Sequence, residues 1–163
     1  MNLVRAATGL LALPGGTIWI WLGTPYATGV YSILLFVWVF FSPRPRRLLL
    51  YSVLLAAISS DLLCARVLKP LFSRPRPCAV EHLDVPDCSS SFSMPSSHAS
   101  NTMAVATAMA SPPLAALSLL VGASRVVLGL HYPGDVAAGW GVGAVIGALA
   151  RLGVQRWRSK QSS

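Results

Sequence analysis

Long apolar runs separated by short polar breaks make up most of this chain. The runs cover residues 29–42, 48–68, 98–110, 114–130 and 135–152. A helix needs about 20 consecutive apolar residues to cross a bilayer, and several of these runs approach or reach that length. Small residues dominate 98–110 and 135–152, and small side chains let helices pack closely in a membrane. The pattern therefore predicts an all-α bundle of membrane-spanning helices.

The first 27 residues leave two interpretations open. The stretch is long enough to span, but Pro14, Gly15 and Gly16 break it in the middle. It is either a kinked span or a helix lying in the membrane interface. The prediction is therefore a single membrane-embedded domain, residues 1–163, with five or six transmembrane helices.

Composition and charge narrow the class of protein. The chain is 54% hydrophobic and 11% charged, whereas a soluble domain carries about 25% charged residues. The net charge of +8 would suit a nucleic-acid binder if the protein were soluble. Here the basic residues flank the apolar runs, in one cluster at 44–47 and another at 151–160. Both clusters are typical of cytoplasmic anchors under the positive-inside rule, so nucleic-acid binding is not expected.

Counting spans from the cytoplasmic turn at 44–47 places the polar loop 69–97 on the outer face of the membrane. Lys69, Arg74 and Arg76 in that loop run against the positive-inside rule and need another explanation. The same count brings the other large polar patches to the outer face. The residues that can converge there are Lys69, Arg76, Ser96, Ser97, His98, Arg125, His131 and Asp135.

Three of these residues are cations suited to a phosphate. A guanidinium holds two phosphate oxygens at once, and lysine adds a compact positive charge. Anchoring at the headgroup level is the alternative for Lys69 and is the interpretation adopted for Arg74. Arg125 lies inside an apolar run, where anchoring is a poor explanation. Lys69, Arg76 and Arg125 are therefore the predicted phosphate-binding cations.

Pro95, Ser96, Ser97 and His98 come at the start of a predicted helix. Proline and serine are common there. The first N–H groups of a helix have no partner within it and bind anions readily. The Ser96 hydroxyl and the Ser97 N–H are accordingly predicted to bind phosphate. An ordinary helix cap would explain both serines without a ligand, but it would not explain His98.

His131 and Asp135 form a second polar pair. A carboxylate bonded to one ring nitrogen fixes the tautomer and leaves the other nitrogen nucleophilic. Alternatively, Asp135 in the first turn of a helix that starts at Pro133 is a favourable cap. Two histidines at one site can divide the work, one attacking and the other protonating the leaving oxygen. The nearby carboxylate favours His131 as the nucleophile, with His98 as the proton donor.

The outer loop also holds cysteines and acidic residues. Cys78 and Cys88 are ten positions apart, and an oxidising compartment would permit a disulfide between them, with two free thiols as the alternative. The acidic residues and one histidine are spaced too loosely to favour a metal site, so a solvated loop face is expected. These loop residues are Glu81, His82, Asp84 and Asp87.

The three polar segments resemble the signature of the type 2 phosphatidic acid phosphatase family, whose wider superfamily includes the vanadium-dependent haloperoxidases. The family pattern reads Lys-x6-Arg-Pro, then Pro-Ser-Gly-His, then Ser-Arg-x5-His-x3-Asp. With its internal spacings kept, the chain matches at Lys69, Arg76, Pro77, Pro95, Ser96, His98, Ser124, Arg125, His131 and Asp135. Ser97 stands where the family usually has glycine, which matters only if that position requires φ > 0.

The resemblance implies an integral membrane lipid phosphatase that needs no metal or other cofactor. His131 would attack phosphorus and form a phosphohistidine, Asp135 would orient it, and His98 would protonate the leaving oxygen. Lys69, Arg125 and the other predicted phosphate ligands would hold the phosphoryl oxygens. The site would face the periplasm or cell exterior from a bacterial inner membrane, with a lipid phosphate or diphosphate and the bilayer as partners.

The short length and the tight cysteine loop are also similar to bacterial lipid A 1-phosphatases and undecaprenyl-diphosphate phosphatases. Candidate substrates are undecaprenyl diphosphate, lipid A 1-phosphate, phosphatidylglycerol phosphate and phosphatidic acid. A non-enzymatic lipid-phosphate binder or transporter is the alternative, but it would not need the His131–Asp135 pair. A vanadate-dependent haloperoxidase is a third class, which the hydrophobic layout disfavours.

Overall fold

The computed structural model describes residues 44–85 and 88–161, together with isolated positions at 8–9, 17–18, 33, 37 and 40–41. Within the described ranges every regular element is a helix. Residues 1–27, for which the sequence leaves two interpretations open, lie almost wholly outside these ranges, and so does the apolar run at 29–42. The count of five or six spans therefore stays a prediction.

Six α-helices and one π-helical segment make up the described chain. They are α1 (Arg44–Leu62), the π segment (Leu63–Leu68), α2 (Lys69–Phe72), α3 (Pro77–Val80), α4 (Ser97–Met109), α5 (Pro112–Val127) and α6 (Pro133–Gln161). Among the described residues, two helical stretches are long and apolar enough to cross a membrane, Leu48–Val80 and Pro133–Lys160, and Pro112–Val127 is a shorter apolar helix. Large apolar side chains lie exposed on α1 and α6, which suits helices that face lipid.

The first long helix does not stop where the apolar run ends. The sequence predicts a loop from residue 69, but helical structure continues through α2 to Phe72. Pro70 lies in the first turn of α2, where its missing N–H costs little, and the π segment directly precedes it. The chain turns away at Ser73, which caps α2 in the left-handed conformation with φ 45°. Lys69 is therefore held on a helix rather than on a loop.

Helix α4 packs against α1, α5 and α6 at the centre of the described bundle. Its contact with α6 depends on glycines that recur every four residues, at Gly139, Gly143 and Gly147. A Cβ added at Gly143 would lie 2.2 Å from the carbonyl oxygen of Ser100, so the two backbones touch without intervening side chains. This close approach places the first turn of α4 against the first turn of α6.

Polar side chains join α1 to α4 within the apolar bundle. The hydroxyls of Ser60 and Ser100 lie 2.6 Å apart, and Asn101 donates to the carboxylate of Asp61 over 3.0 Å. Asp61 is expected to face protein rather than lipid. Its carboxylate does bond to α4, although Asp61 remains exposed among the described residues.

Candidate active site

The three polar segments meet at one end of the bundle, where α2, α4 and α6 begin and α5 ends. Four site residues lie close enough to His98 to act on it electrostatically, namely Lys69, Arg76, Arg125 and His131. Asp135 likewise lies within electrostatic range of Arg76. Ser96 donates its backbone N–H to the carbonyl oxygen of Asp135 over 2.9 Å, which links two of the segments directly. Residues 69–135 thus converge on one site.

His131 is buried, and its ring orientation is set by a backbone group. Its Nδ1 lies 2.7 Å from the carbonyl oxygen of Ser93. A carbonyl only accepts hydrogen bonds, so Nδ1 carries the hydrogen and Nε2 carries the lone pair. Asp135 Oδ2 is 3.8 Å from Nδ1, too far for a hydrogen bond. The carbonyl of Ser93 therefore occupies the place that the sequence predicts for the carboxylate.

Asp135 has other partners that keep it from His131. Its Oδ1 accepts a hydrogen bond from Arg74 Nη1 over 2.9 Å, and its Oδ2 accepts the backbone N–H of Tyr132 over 2.8 Å. The second bond caps the start of α6, as the sequence predicts for an acidic residue in the first turn. The sequence assigns Arg74 to membrane anchoring, and that interpretation is wrong because its guanidinium is paired with a buried carboxylate.

Arg76 is buried and serves both the loop and the site. Its Nε donates to the carbonyl oxygen of Ser91 over 2.9 Å and its Nη2 to the Ser91 hydroxyl over 2.8 Å. Its Nη1 approaches the carbonyl oxygen of Leu130 at 3.5 Å. A guanidinium has five N–H groups, so two remain beyond these contacts. Those two can donate to a phosphate while the others hold the outer loop in place.

Arg125 is also buried, near the end of α5. Its carbonyl oxygen accepts the backbone N–H groups of Leu130 and His131 over 3.1 and 3.2 Å. The chain makes this tight turn through Gly129, whose φ of 67° suits glycine. Arg125 and His131 are therefore tied together by the backbone, and residues 128–130, which follow the end of α5, complete that turn.

Ser96 and Ser97 stand at the start of α4. Ser96 is the extended residue before the helix, but its hydroxyl makes no capping bond. The Ser96 hydroxyl oxygen is buried, with no hydrogen-bond partner among the described residues. The ordinary cap therefore does not explain this side chain, whereas a bound oxyanion would satisfy it. Ser97 begins the helix and is not among the residues with positive φ, so serine replaces glycine there without strain.

The loop that follows α2 is closed beside the site. Cys78 and Cys88 are joined by a disulfide with an S–S distance of 2.07 Å, the pairing that the sequence left open. Cys78 packs against Leu128 and Leu130, next to the turn that carries His131. Within residues 44–85 and 88–161, no group of three or more His, Cys, Asp or Glu side chains is placed to hold a metal ion. Asp87 lies outside the described residues.

The electrostatics favour a neutral imidazole at His131. Burial lowers the pKa of His131 to about 4, with Arg76 and Arg125 acting in the same direction and Asp135 opposing them. At neutral pH the ring is therefore uncharged, with its lone pair on Nε2. An uncharged imidazole is the state that a nucleophile requires.

A solved structure shares this arrangement of helices. The PAP2-type transmembrane phosphatidylglycerolphosphate phosphatase of Bacillus subtilis matches with a TM-score of 0.70 and 25% identity, over 96% of this chain and 83% of that one. The family model of the PAP2 superfamily matches residues 47–159. The chain belongs to the PAP2 superfamily.

Two curated relatives of this PAP2 protein are also phosphatases. Undecaprenyl-diphosphatase BcrC of Bacillus subtilis is 31% identical over 135 residues, 77% of this chain and 68% of the relative. Decaprenylphosphoryl-5-phosphoribose phosphatase of Mycobacterium tuberculosis is 35% identical over 105 residues. That match covers 60% of this chain and 58% of the mycobacterial protein, so this chain spans little more than half of it. This PAP2 protein is accordingly a phosphatase.

Sequence reasoning missed three contributors to the site. Ser91 holds Arg76, Ser93 holds His131 through its carbonyl, and Arg74 holds Asp135. The serines carried no signal because their roles depend on the path of the loop. Arg74 carried a weak signal, since it is one of three cations in the predicted outer loop that the positive-inside rule does not explain.

Proposed function

We propose that this PAP2 protein hydrolyses a lipid phosphate or diphosphate through a phosphohistidine on Nε2 of His131. The observation that carries the proposal is the hydrogen bond from Nδ1 to the carbonyl of Ser93. It leaves Nε2 as the nucleophilic nitrogen, within electrostatic range of Arg76 and Arg125. The buried, unpartnered hydroxyl of Ser96 supports an oxyanion ligand at the same place.

The reaction would run in two displacements. Nε2 of His131 forms a bond to phosphorus while the bond from phosphorus to the leaving oxygen breaks, and His98 gives that oxygen a proton. A water molecule then attacks phosphorus and gives a proton to His98, while the bond from phosphorus to Nε2 of His131 breaks, which releases phosphate and regenerates the free ring. Charge that develops on the phosphoryl oxygens is stabilised by prearranged donors. Those donors are Lys69, Arg76, Arg125, the Ser96 hydroxyl and the Ser97 N–H.

The names of the two curated relatives support a substrate class. Their names describe enzymes that act on undecaprenyl diphosphate and on a decaprenylphosphoryl sugar phosphate, both with polyprenyl tails. The name of the solved relative describes a phosphatase for phosphatidylglycerol phosphate. A polyprenyl phosphate or diphosphate is therefore the first candidate, ahead of phosphatidylglycerol phosphate, lipid A 1-phosphate and phosphatidic acid. The lipid would reach the site from the outer leaflet with its tail left in the bilayer.

The test is phosphate release by detergent-purified protein in the presence of EDTA, on a panel of these lipids. The key variant is His131→Asn. The matched control is His82→Asn, because His82 is exposed in the outer loop and asparagine tolerates its positive φ of 50°. We expect release by the wild type and by His82→Asn, and none by His131→Asn.

Three outcomes would contradict the proposal. Release that survives His131→Asn would remove His131 as nucleophile. Absence of release on every lipid, with phosphate-dependent lipid binding retained, would favour the binder or transporter instead. Release that appears only when EDTA is omitted and metal is added would contradict the metal-independent mechanism.

A further inference from the structure

Asp61 is an ionisable residue within the apolar part of the first long helix. It lies in α1, inside the stretch Leu48–Val80 that is long enough to span, and its side chain is exposed. Across residues 44–85 and 88–161 it forms no ion pair, and its one hydrogen bond comes from Asn101 to Oδ1. A carboxylate at membrane depth is costly, so it is retained where it has a function. The reaction described above does not use it.

The pair formed by Asp61 and Asn101 lies next to the site, on the side toward the centre of the bundle. Asn101 is one turn beyond His98 on α4, and residues three apart share a helix face, about 4.5 Å apart along the axis. Asp61 is within electrostatic range of Lys69, which is itself within range of His98. Because His98 is the proposed proton donor to the leaving oxygen, the alcohol that carries this oxygen would lie beside the pair.

Two oxygen atoms of the pair lack a hydrogen-bond donor. Oδ1 of Asn101 is buried with no partner in the described part of the chain. Oδ2 of Asp61 likewise accepts no hydrogen bond from a described residue. An acceptor without a partner costs free energy when it is removed from water, and a donor from a ligand removes that cost. The pair therefore suits a hydroxyl or amide N–H, whereas a negative group placed there would be repelled by the carboxylate.

We propose that Asp61, held by Asn101, is a specificity-determining residue that accepts a hydrogen bond from the alcohol part of the substrate. The favoured substrate is a lipid phosphate monoester whose alcohol carries a hydroxyl or amide N–H beside the phosphate, as in a glycerol or sugar phosphate. A diphosphate would instead place its second phosphate next to the carboxylate, which disfavours it. This inference rests on the proposed function and narrows its substrate class.

The first experiment isolates the hydrogen bond with two lipids. Lysophosphatidic acid has a free hydroxyl on the carbon next to the one that bears the phosphate, and its deoxy analogue lacks only that hydroxyl. We expect the wild type to show a kcat/KM about 10- to 100-fold higher on lysophosphatidic acid, the range for a hydrogen bond to a charged group. In Asp61→Ala that ratio should fall to within about threefold of one, mainly through lost activity on lysophosphatidic acid.

Two results of this experiment would overturn the proposal. A wild-type ratio near one would show that the hydroxyl is not recognised. A ratio that stays at the wild-type value in Asp61→Ala, with activity on both lipids lowered by the same factor, would mean that Asp61 only joins α1 to α4. Leu62→Ala, at an exposed neighbour of Asp61 on α1, is the control and should keep the wild-type ratio.

The second experiment separates the charge of Asp61 from its hydrogen bond. Asp61→Asn keeps the size of the side chain and one oxygen acceptor but removes the negative charge. Its kcat/KM on undecaprenyl diphosphate should rise at least roughly tenfold, because like charges no longer meet. The preference for lysophosphatidic acid over the deoxy analogue should fall only in part. A diphosphate activity that does not rise would contradict exclusion by the carboxylate.

A binding measurement distinguishes this inference from the proposed function. If the wild type hydrolyses none of these lipids, the proposed function fails. Binding of the same two lipids to His131→Asn, measured by native mass spectrometry in detergent, then still tests the role of Asp61. We expect lysophosphatidic acid to bind at least about tenfold more tightly than its deoxy analogue, and equal binding would overturn the inference. If the wild type is active but treats the two lipids alike, only the inference fails.

Discussion

At the scale of single residues, the site is organised around what burial does to polar groups. His131 is buried among cations and stays neutral, and the hydroxyl of Ser96 is buried with no partner in the described part of the chain. Each arrangement costs folding free energy unless a ligand compensates for it. Both features therefore point to function rather than to stability, and each leads to a measurable expectation.

The pH dependence of activity should follow His131. The proposed nucleophile is active when deprotonated, and burial lowers the pKa of His131 to about 4. The ring thus stays active as pH falls through the ordinary histidine range near 6.5, and kcat/KM should fall only as pH approaches about 4. The measurement is a pH profile of kcat/KM, corrected for the second ionisation of the substrate phosphate. A fall in kcat/KM centred near pH 6.5 would contradict this expectation, provided that a control reaction that is insensitive to pH shows no such fall.

Ser96→Ala should separate activity from stability. Loss of a hydroxyl that bonds to a charged phosphate costs about 1.5–3 kcal/mol, so kcat/KM should fall roughly 10- to 100-fold. Stability should be unchanged or raised, because the hydroxyl has no partner to lose.

Ser118→Ala is the matched comparison for this prediction. Its hydroxyl lies 2.8 Å from that of Thr102, so this variant should lose stability and keep its activity. Thermal unfolding in detergent and phosphate release measure the two properties. Equal activity of Ser96→Ala and the wild type would exclude the hydroxyl as a ligand.

At the scale of helices, the contact between α4 and α6 is what aligns the site. The apolar and small-residue pattern predicted close packing of these two segments. It could not predict the boundaries, because α6 extends through the basic tail to Gln161 rather than ending near residue 152. Lys and Arg are good helix formers, so a charged tail can continue a helix beyond its apolar part. Composition therefore indicated helices suited to close packing, but neither which helix each would contact nor where it would end.

Two glycines of α6 should respond in opposite ways to alanine. A Cβ at Gly143 would meet the carbonyl oxygen of Ser100 at 2.2 Å, whereas a Cβ at Gly141 would meet nothing within 4 Å. Gly143→Ala should destabilise the protein by about 1–3 kcal/mol through overpacking and should also lower activity. Gly141→Ala should be neutral or stabilising by up to about 1 kcal/mol, because alanine is the better helix former. Unfolding in detergent with increasing denaturant tests this, and similar stability of the two variants would argue against the close contact.

At the scale of the whole molecule, the signature spacing and the alternation of spans predicted that distant segments would converge. The structure brings Lys69, Arg125 and His131 to one end of the bundle. What could not be predicted is which neighbour each side chain selects. The sequence offered two roles for the carboxylate of Asp135, a bond to His131 and a cap of α6, and the positions of Arg74 and Ser93 decide between them.

The orientation of the molecule in the membrane is a further expectation. Helix α6 has 29 residues and is therefore about 43 Å long, enough to carry its basic end to the face opposite the site. The positive-inside rule places that end in the cytoplasm. A fluorescent protein fused after residue 163 should be fluorescent, and a periplasm-dependent alkaline phosphatase fused there should be inactive. The reverse pair of results would invert the orientation and place the site in the cytoplasm.

The hydrogen bond from His131 to the carbonyl of Ser93 determines what a mutational scan can detect. Every amino acid at position 93 presents the same peptide oxygen, so Ser93→Ala removes only the hydroxyl contacts to the carbonyls of Arg74 and Pro75. Replacing the peptide bond between Ser93 and Met94 by an ester would weaken the acceptor itself. The choice of reactive nitrogen is thus encoded in the course of the main chain, and a complete set of single substitutions could leave it undetected.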